Sequence, residues 1–172
     1  MIKTHLLAVA LGLALAAPAA QAAIQTWTVA GTVDSGSLLG TSYSGSFSFD
    51  DSALVGAGSE YLPVASLDFV FEGVHFDAAD AAAGSIAEVA FEAGVFLGLS
   101  YIVDAAAHPF ALIPGFADSS DAYFAYDAVL PALGGAGDAI YAPVPEPKDW
   151  LLMLAGLGIV GLMVERNKRR VV

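Results

Sequence analysis

The sequence predicts an all-β protein: an antiparallel β-sandwich of jelly-roll-like form, with a signal peptide before it and a single C-terminal transmembrane helix after it. Three observations lead there. Apolar residues alternate with small polar ones in short runs through the middle of the chain. Turn signals built on Gly and Asp separate those runs. Uninterrupted apolar stretches lie outside the alternating region, one near each end. Period-two alternation rich in aromatic and β-branched residues belongs to half-buried strands. A charge-free run beside cations belongs to a segment that meets lipid.

The first element is residues 1–22. Lys3 supplies a positive start, Leu6 to Ala17 an apolar stretch, and Ala20-Gln21-Ala22 a small-x-small cleavage site. This is the pattern of a secretory signal peptide cleaved after Ala22. The apolar stretch is short for a permanent anchor and runs into Pro18.

The exported domain follows, residues 23–142, a length sufficient to bury one core. Trp27, Val29, Gly31 and Val33 share one parity, with Thr26, Thr28 and Thr32 on the other. Tyr43, Gly45, Phe47 and Phe49 alternate with Ser44, Ser46 and Ser48. Leu67, Phe69 and Phe71 continue the pattern, and Glu72-Gly73 marks a tight hairpin to Val74–Phe76. Val89 and Phe91, then the stripe from Val95 to Val103, then Phe124 and Tyr126 complete the strands. Ala78 to Ala87 reads as a loop or a short helical turn. Leu133 to Gly137 reads as a Gly-rich loop, with a last strand at Ala139 to Tyr141.

Residues 143–149 are a linker carrying Pro145-Glu146-Pro147. Two prolines hold it extended and resist helix entry. Residues 150–164 contain no charge and would span about 22 Å as a helix, short of a roughly 30 Å hydrocarbon core. The flanks favour a membrane all the same. Trp150 is an interfacial anchor, Val164 ends the span, and the tail 165–172 carries Arg166, Lys168, Arg169 and Arg170. Such a cation cluster stays in the cytoplasm. The domain then lies across the membrane, as the signal peptide independently requires. Within this run, Gly156-Leu157-Gly158-Ile159-Val160-Gly161 matches a dinucleotide fingerprint. It lacks the preceding strand and βαβ unit that the fingerprint needs. Its glycines suit close packing against a membrane helix instead.

The segment Val144 to Arg170, with its Pro-Glu-Pro, apolar run and basic tail in that order, resembles the PEP-CTERM sorting signal of exported proteins in Gram-negative bacteria that make exopolysaccharide. The resemblance implies Sec export, transient anchoring in the inner membrane, and recognition by exosortase, a membrane cysteine transpeptidase. Pro145, Glu146 and Pro147 would be the sorting motif, Trp150 to Val164 the anchor, and Arg166, Lys168, Arg169 and Arg170 the retention tail. Glu165 departs from a purely basic tail. From Ile24 to Val103 the body also resembles the domain that often precedes this signal, which implies no particular activity.

Charge narrows the function classes. Between Ala23 and Pro147 there are sixteen Asp and Glu and no Lys or Arg. Phosphate backbones are repelled from such a surface, so nucleic acid is not an expected partner. The chain has no Cys, so no disulfide and no thiolate chemistry operates. A catalytic triad would need His75 or His108 as base, and Ser100 lacks the GxSxG setting of a nucleophile. No pair of carboxylates is marked out for glycoside hydrolysis. Asp50 with Asp51, Asp77 with Asp80, and Asp118 with Asp121 are candidate ligands for a structural calcium ion, although none sits in an EF-hand loop. Trp27, Tyr43, Tyr61, Tyr101, Tyr123 and Tyr126 are the aromatics available to stack on sugars, and the period-two pattern places most of them in the core.

The expected protein is therefore a non-enzymatic structural or adhesive component of the envelope or biofilm, sorted to the cell surface or extracellular matrix. An exopolysaccharide-binding module is the alternative, and a secreted hydrolase is third. No organic cofactor is expected.

Overall fold

The computed structural model describes residues 24–104, 106–107, 109–127, 134–145 and 153–160. The described strands are β1 (Ile24–Thr32), β2 (Ser42–Asp50), β3 (Ser59–Phe71), β4 (Val74–Phe76), β5 (Glu88–Glu92), β6 (Val95–Val103), β7 (Phe110–Ile113), β8 (Tyr123–Tyr126), β9 (Gly135–Asp138) and β10 (Ile140–Pro143). They form one sheet in the order β10-β1-β2-β3-β5-β6-β7-β8-β9, with β4 added to β3. Every pairing is antiparallel. The all-β antiparallel class is what the alternation predicts.

The connectivity is simpler than that of a jelly roll. Strands pair mostly with their neighbours in sequence, as a meander, without crossed Greek-key connections. The sheet curls until β2 and β3 face β7 and β8 across one core, so a single sheet supplies both layers of the expected sandwich. Tyr43 stacks on Phe124 at 4.2 Å, Phe71 meets Phe124 at 4.8 Å, and Phe69 meets Phe110 at 5.3 Å. Trp27 on Phe96 at 4.2 Å and Phe96 against Tyr141 at 5.4 Å extend the core toward the other end. Aromatic pairs of this kind add about 0.5–1.5 kcal/mol each beyond burial. They supply cohesion that a cysteine-free domain cannot take from disulfides.

The last two strands nearly close the sheet. β9 pairs with β8 as far as Asp138, and after Ala139 the chain joins β1 as β10. Asp34 N–H donates to Ala136 O at 2.8 Å, and Tyr43 Oη donates to Asp138 O at 2.8 Å. This corrects the expectation of a loop at Leu133 to Gly137, of which residues 135–137 are strand. Glycine has low strand propensity, but here it is required by proximity. A Cβ on Gly135 would lie 2.0 Å from Ser35 O, and one on Gly137 would lie 2.3 Å from Thr32 O.

The hairpin predicted at Glu72-Gly73 is present, with φ of 51° and 76° at its two central residues. Both values are positive, as a type I′ turn demands. Ala93-Gly94 repeats the geometry with φ of 48° and 80°. β3 starts eight residues before Leu67, at Ser59, and carries Pro63 inside it. Val64 N–H bonds Ala87 O on the β5 side. Alternation therefore turns the Pro63 nitrogen to the other edge, beyond the β2 register, which ends at Phe49↔Val64. β7 is four residues long and lacks a long alternating stripe, so the sequence pattern does not mark it.

Residues 78–80 form a 3-10 turn and the chain is then irregular up to β5. Residues 153–160 are helical, inside the apolar run 150–164. Among the described residues, no helix is long and apolar enough to cross a membrane. The signal segment with Ala20 and Ala22, and Glu146, Pro147, Trp150, Val164, Arg166, Lys168, Arg169 and Arg170, lie outside the described residues, as does His108.

Candidate functional site

Two places on the domain bear on function: the end where the chain enters and leaves the sheet, and the outer face of β10-β1-β2-β3-β4. At the first, β1 begins at Ile24 and β10 ends at Pro143, paired with Trp27. Val144 N–H then donates to Thr26 O at 2.8 Å. The sheet thus holds the chain two residues beyond Ala142, to the edge of Pro145. Ile24 and Val144 therefore lie at the same end of the sheet.

The outer face follows from parity. With Val29, Tyr43, Phe47, Phe69 and Phe71 buried inward, their neighbours point outward. Cross-strand register arranges those neighbours in rows. One row runs Ile140, Ala30, Ser44, Val70, His75. The next runs Ala142, Thr28, Ser46, Asp68. The central strands thus carry only Ala, Ser and Thr, while bulkier groups stand at the sides. The result is a shallow cavity of about 460 Å³ with Ala30, Thr32, Ser42 and Ser44 as floor, Ile140 as one wall and Val70 as the other. Beside it, His75 Nδ1 lies 2.9 Å from Asp68 Oδ1. Farther along the same face, the Ser48 and Ser66 hydroxyls are 2.6 Å apart.

The six aspartates proposed for calcium are spread over three turns. Asp50, Asp77 and Asp118 each precede a 3-10 turn and accept from a backbone N–H two residues on, that of Ser52, Ala79 and Ser120 respectively. Asp80 accepts from Asp77 N–H, completing a capping box. Asp51 accepts from Gln25 Nε2 at 3.0 Å, and Asp121 faces Ala117 N–H at 3.4 Å. Short side chains at turn starts commonly act this way. The bond to Ser52 holds the Asp50 carboxyl below the usual carboxylate range, and that to Ser120 does so for Asp118. Among the described residues no three His, Asp or Glu gather as a metal-holding group.

Glu60 was not singled out in the sequence, yet its carboxylate accepts from three consecutive backbone donors. Val55 and Gly56 N–H lie at 2.7 Å and Ala57 N–H at 3.1 Å. These bonds lower its pKa, that from Val55 most, and they order the turn before β3. The signal in the sequence was an acid just after a Gly-Ala-Gly turn.

The histidine pair sits in the open. The side chains of His75 and Asp68 are 71% and 65% exposed, so water reaches them freely. Ser100 lies on β6, opposite Glu88 of β5 and away from the His75 strand. Of the six candidate sugar-stacking aromatics, Tyr43, Tyr101 and Tyr126 are buried, Trp27 is packed against the core, and Tyr61 and Tyr123 are exposed. These two lie on β3 and β8, which are separated in the sheet by β5, β6 and β7, so they build no common platform.

No family model, no curated protein and no solved structure matches the chain.

Proposed function

We propose that this is an exported surface or extracellular-matrix protein, sorted by its C-terminal segment and non-enzymatic, serving as a structural or adhesive component of the envelope or biofilm of a Gram-negative bacterium. After Sec export and cleavage behind Ala22, residues 150–164 hold it transiently in the inner membrane. Exosortase then acts near Pro145-Glu146-Pro147 and releases the domain or transfers it outward.

The observation that supports this reading is the side-by-side exit of Ile24 and Val144. A domain delivered by one terminal segment and tethered by the other is accommodated without strain when both leave from one end. Five residues, 145–149, separate the last sheet hydrogen bond from the apolar run. Extended at about 3.4 Å per residue, they span about 17 Å. Such a tether is short, and two prolines in it disfavour helix and so suit access by a processing enzyme.

Replacing Pro145, Glu146 and Pro147 with alanine is expected to leave full-length protein in the inner-membrane fraction, read by immunoblot. Unchanged release would overturn the recognition role. Deleting Arg166 to Arg170 is expected to weaken retention before processing. Intact mass of the protein from the surface fraction locates both cleavage points.

A further inference from the structure

We infer that the outer-face groove of β10-β1-β2-β3 is a binding site for an uncharged, hydroxyl-rich chain, a neutral glycan. The inference is independent of the sorting segment, so either can fail alone.

The groove has the construction of a site rather than of a plain solvated face. Its floor is kept low by Ala30 and Ser44, paired directly across β1 and β2, while Ile140 and Val70 rise on the outer strands of the same row. Ile140 is 68% exposed, an unusual cost for an isoleucine on a strand. The volume of about 460 Å³ lies within the roughly 300–1,000 Å³ of small-molecule sites. Ile140 of β10 and Val70 of β3 stand on either side of the floor formed by β1 and β2, leaving a gap between them in the direction of the strands. That form suits a chain laid lengthwise.

The chemistry of the floor selects the occupant. The backbones of Ala30 and Ser44 at the centre of the floor have a ladder partner on both sides. An added peptide strand has nothing to bond to. What remains are the hydroxyls of Thr32, Ser42 and Ser44, each able to donate and accept. Such groups match the alternating donors and acceptors of sugar hydroxyls, while the methyls of Ile140 and Val70 meet apolar C–H faces. Asp68, held by His75, adds one strong acceptor at the rim. Anionic chains are disfavoured, because the described residues from 24 to 145 include no Lys or Arg and many carboxylates. A polycation would need several carboxylates in the groove, and the floor has none.

The test uses protein purified from cells expressing the full chain. Cellohexaose, laminarihexaose and maltohexaose serve as neutral probes, and hexagalacturonate as the anionic one, measured by isothermal titration. Saturable binding of at least one neutral probe is expected, at least tenfold tighter than the anionic one. Ser44→Tyr, which fills the floor, is expected to weaken it at least tenfold, and Ala30→Tyr on the adjacent strand to do the same. Tyr123→Ala, on β8, is expected to leave it unchanged. No binding by any neutral probe, equal binding of hexagalacturonate, or indifference to both floor substitutions overturns the proposal. So does concentration-dependent dimerisation abolished by Ser44→Tyr, which would make a second copy the occupant.

Discussion

Trp27 carries a buried indole N–H without an acceptor, the one such side-chain atom found among the described residues. Its ring stacks on Phe96, so the side chain gains from packing and loses from desolvation. An unmet donor costs about 1–3 kcal/mol. Trp27→Phe keeps a ring there and removes the donor. Its stability in urea denaturation is expected within about 1 kcal/mol of the parent, whereas Trp27→Ala should cost about 3 kcal/mol. A loss for Trp27→Phe equal to that for Trp27→Ala would mean that the indole N–H is satisfied in solution. Ala93 is the second residue under strain, a Cβ-bearing side chain at φ 48° in a two-residue turn. Asn tolerates that region and precedes Gly in type I′ hairpins. Ala93→Asn is expected to stabilise by about 0.5–1 kcal/mol, read as a higher urea midpoint with unchanged slope. Both residues were visible in the sequence, but neither the orphan donor nor the positive φ was. Each depends on what the neighbouring strand places opposite.

At the scale of the element, β9 decides closure. It is the poorest strand by propensity and among the most constrained by contact. Gly135→Ala would drive a Cβ into the Ser35 carbonyl. Two backbones that must separate cost more than one side chain that can turn, so a loss of about 3 kcal/mol or more is expected. Gly73→Ala is the comparison. Open space surrounds Gly73, and only its φ of 76° opposes a side chain. About 1 kcal/mol is expected there. Equal losses in thermal melts would show that the β9 seam is looser than its contacts imply. The alternating strands were legible because one face is buried and the other is wet. β9 was not, because its residues are chosen for small size by another strand far away in sequence.

At the scale of the whole molecule, the tyrosines link the fold to pH. Burial pushes Tyr141 up to about 12. Burial also raises Tyr43, helped by Asp138 and Asp34, and Tyr101, helped by Asp80 and Asp77. The folded protein keeps these phenols neutral while the unfolded chain ionises near pH 10. The folded state then binds more protons than the unfolded one, so stability falls as pH rises above about 10. The melting temperature is expected to hold from neutral pH to about 9.5 and then to drop, with tyrosinate absorbance appearing together with unfolding. Absorbance that rises while the fold persists would show that these phenols are accessible. On the acid side Asp50, Glu60 and Asp118 are lowered. Their contribution is present above the ordinary carboxylate range and fades as pH falls through it, and screening by solvent keeps it small.

The sequence by itself determined the strand class and the inward parity of most of the strand aromatics. Those are local properties: alternation, composition and order along the chain. It also carried Thr32 and Ser44 of the outer groove, unrecognised, in an ordinary polar parity. Only the tertiary structure decided that β10 returns to β1, that the two ends of the domain leave together, and that Ala30 and Ser44 form a floor between Ile140 and Val70. Register sets these facts, and register depends on which distant strands meet, a matter that the period of one strand does not encode.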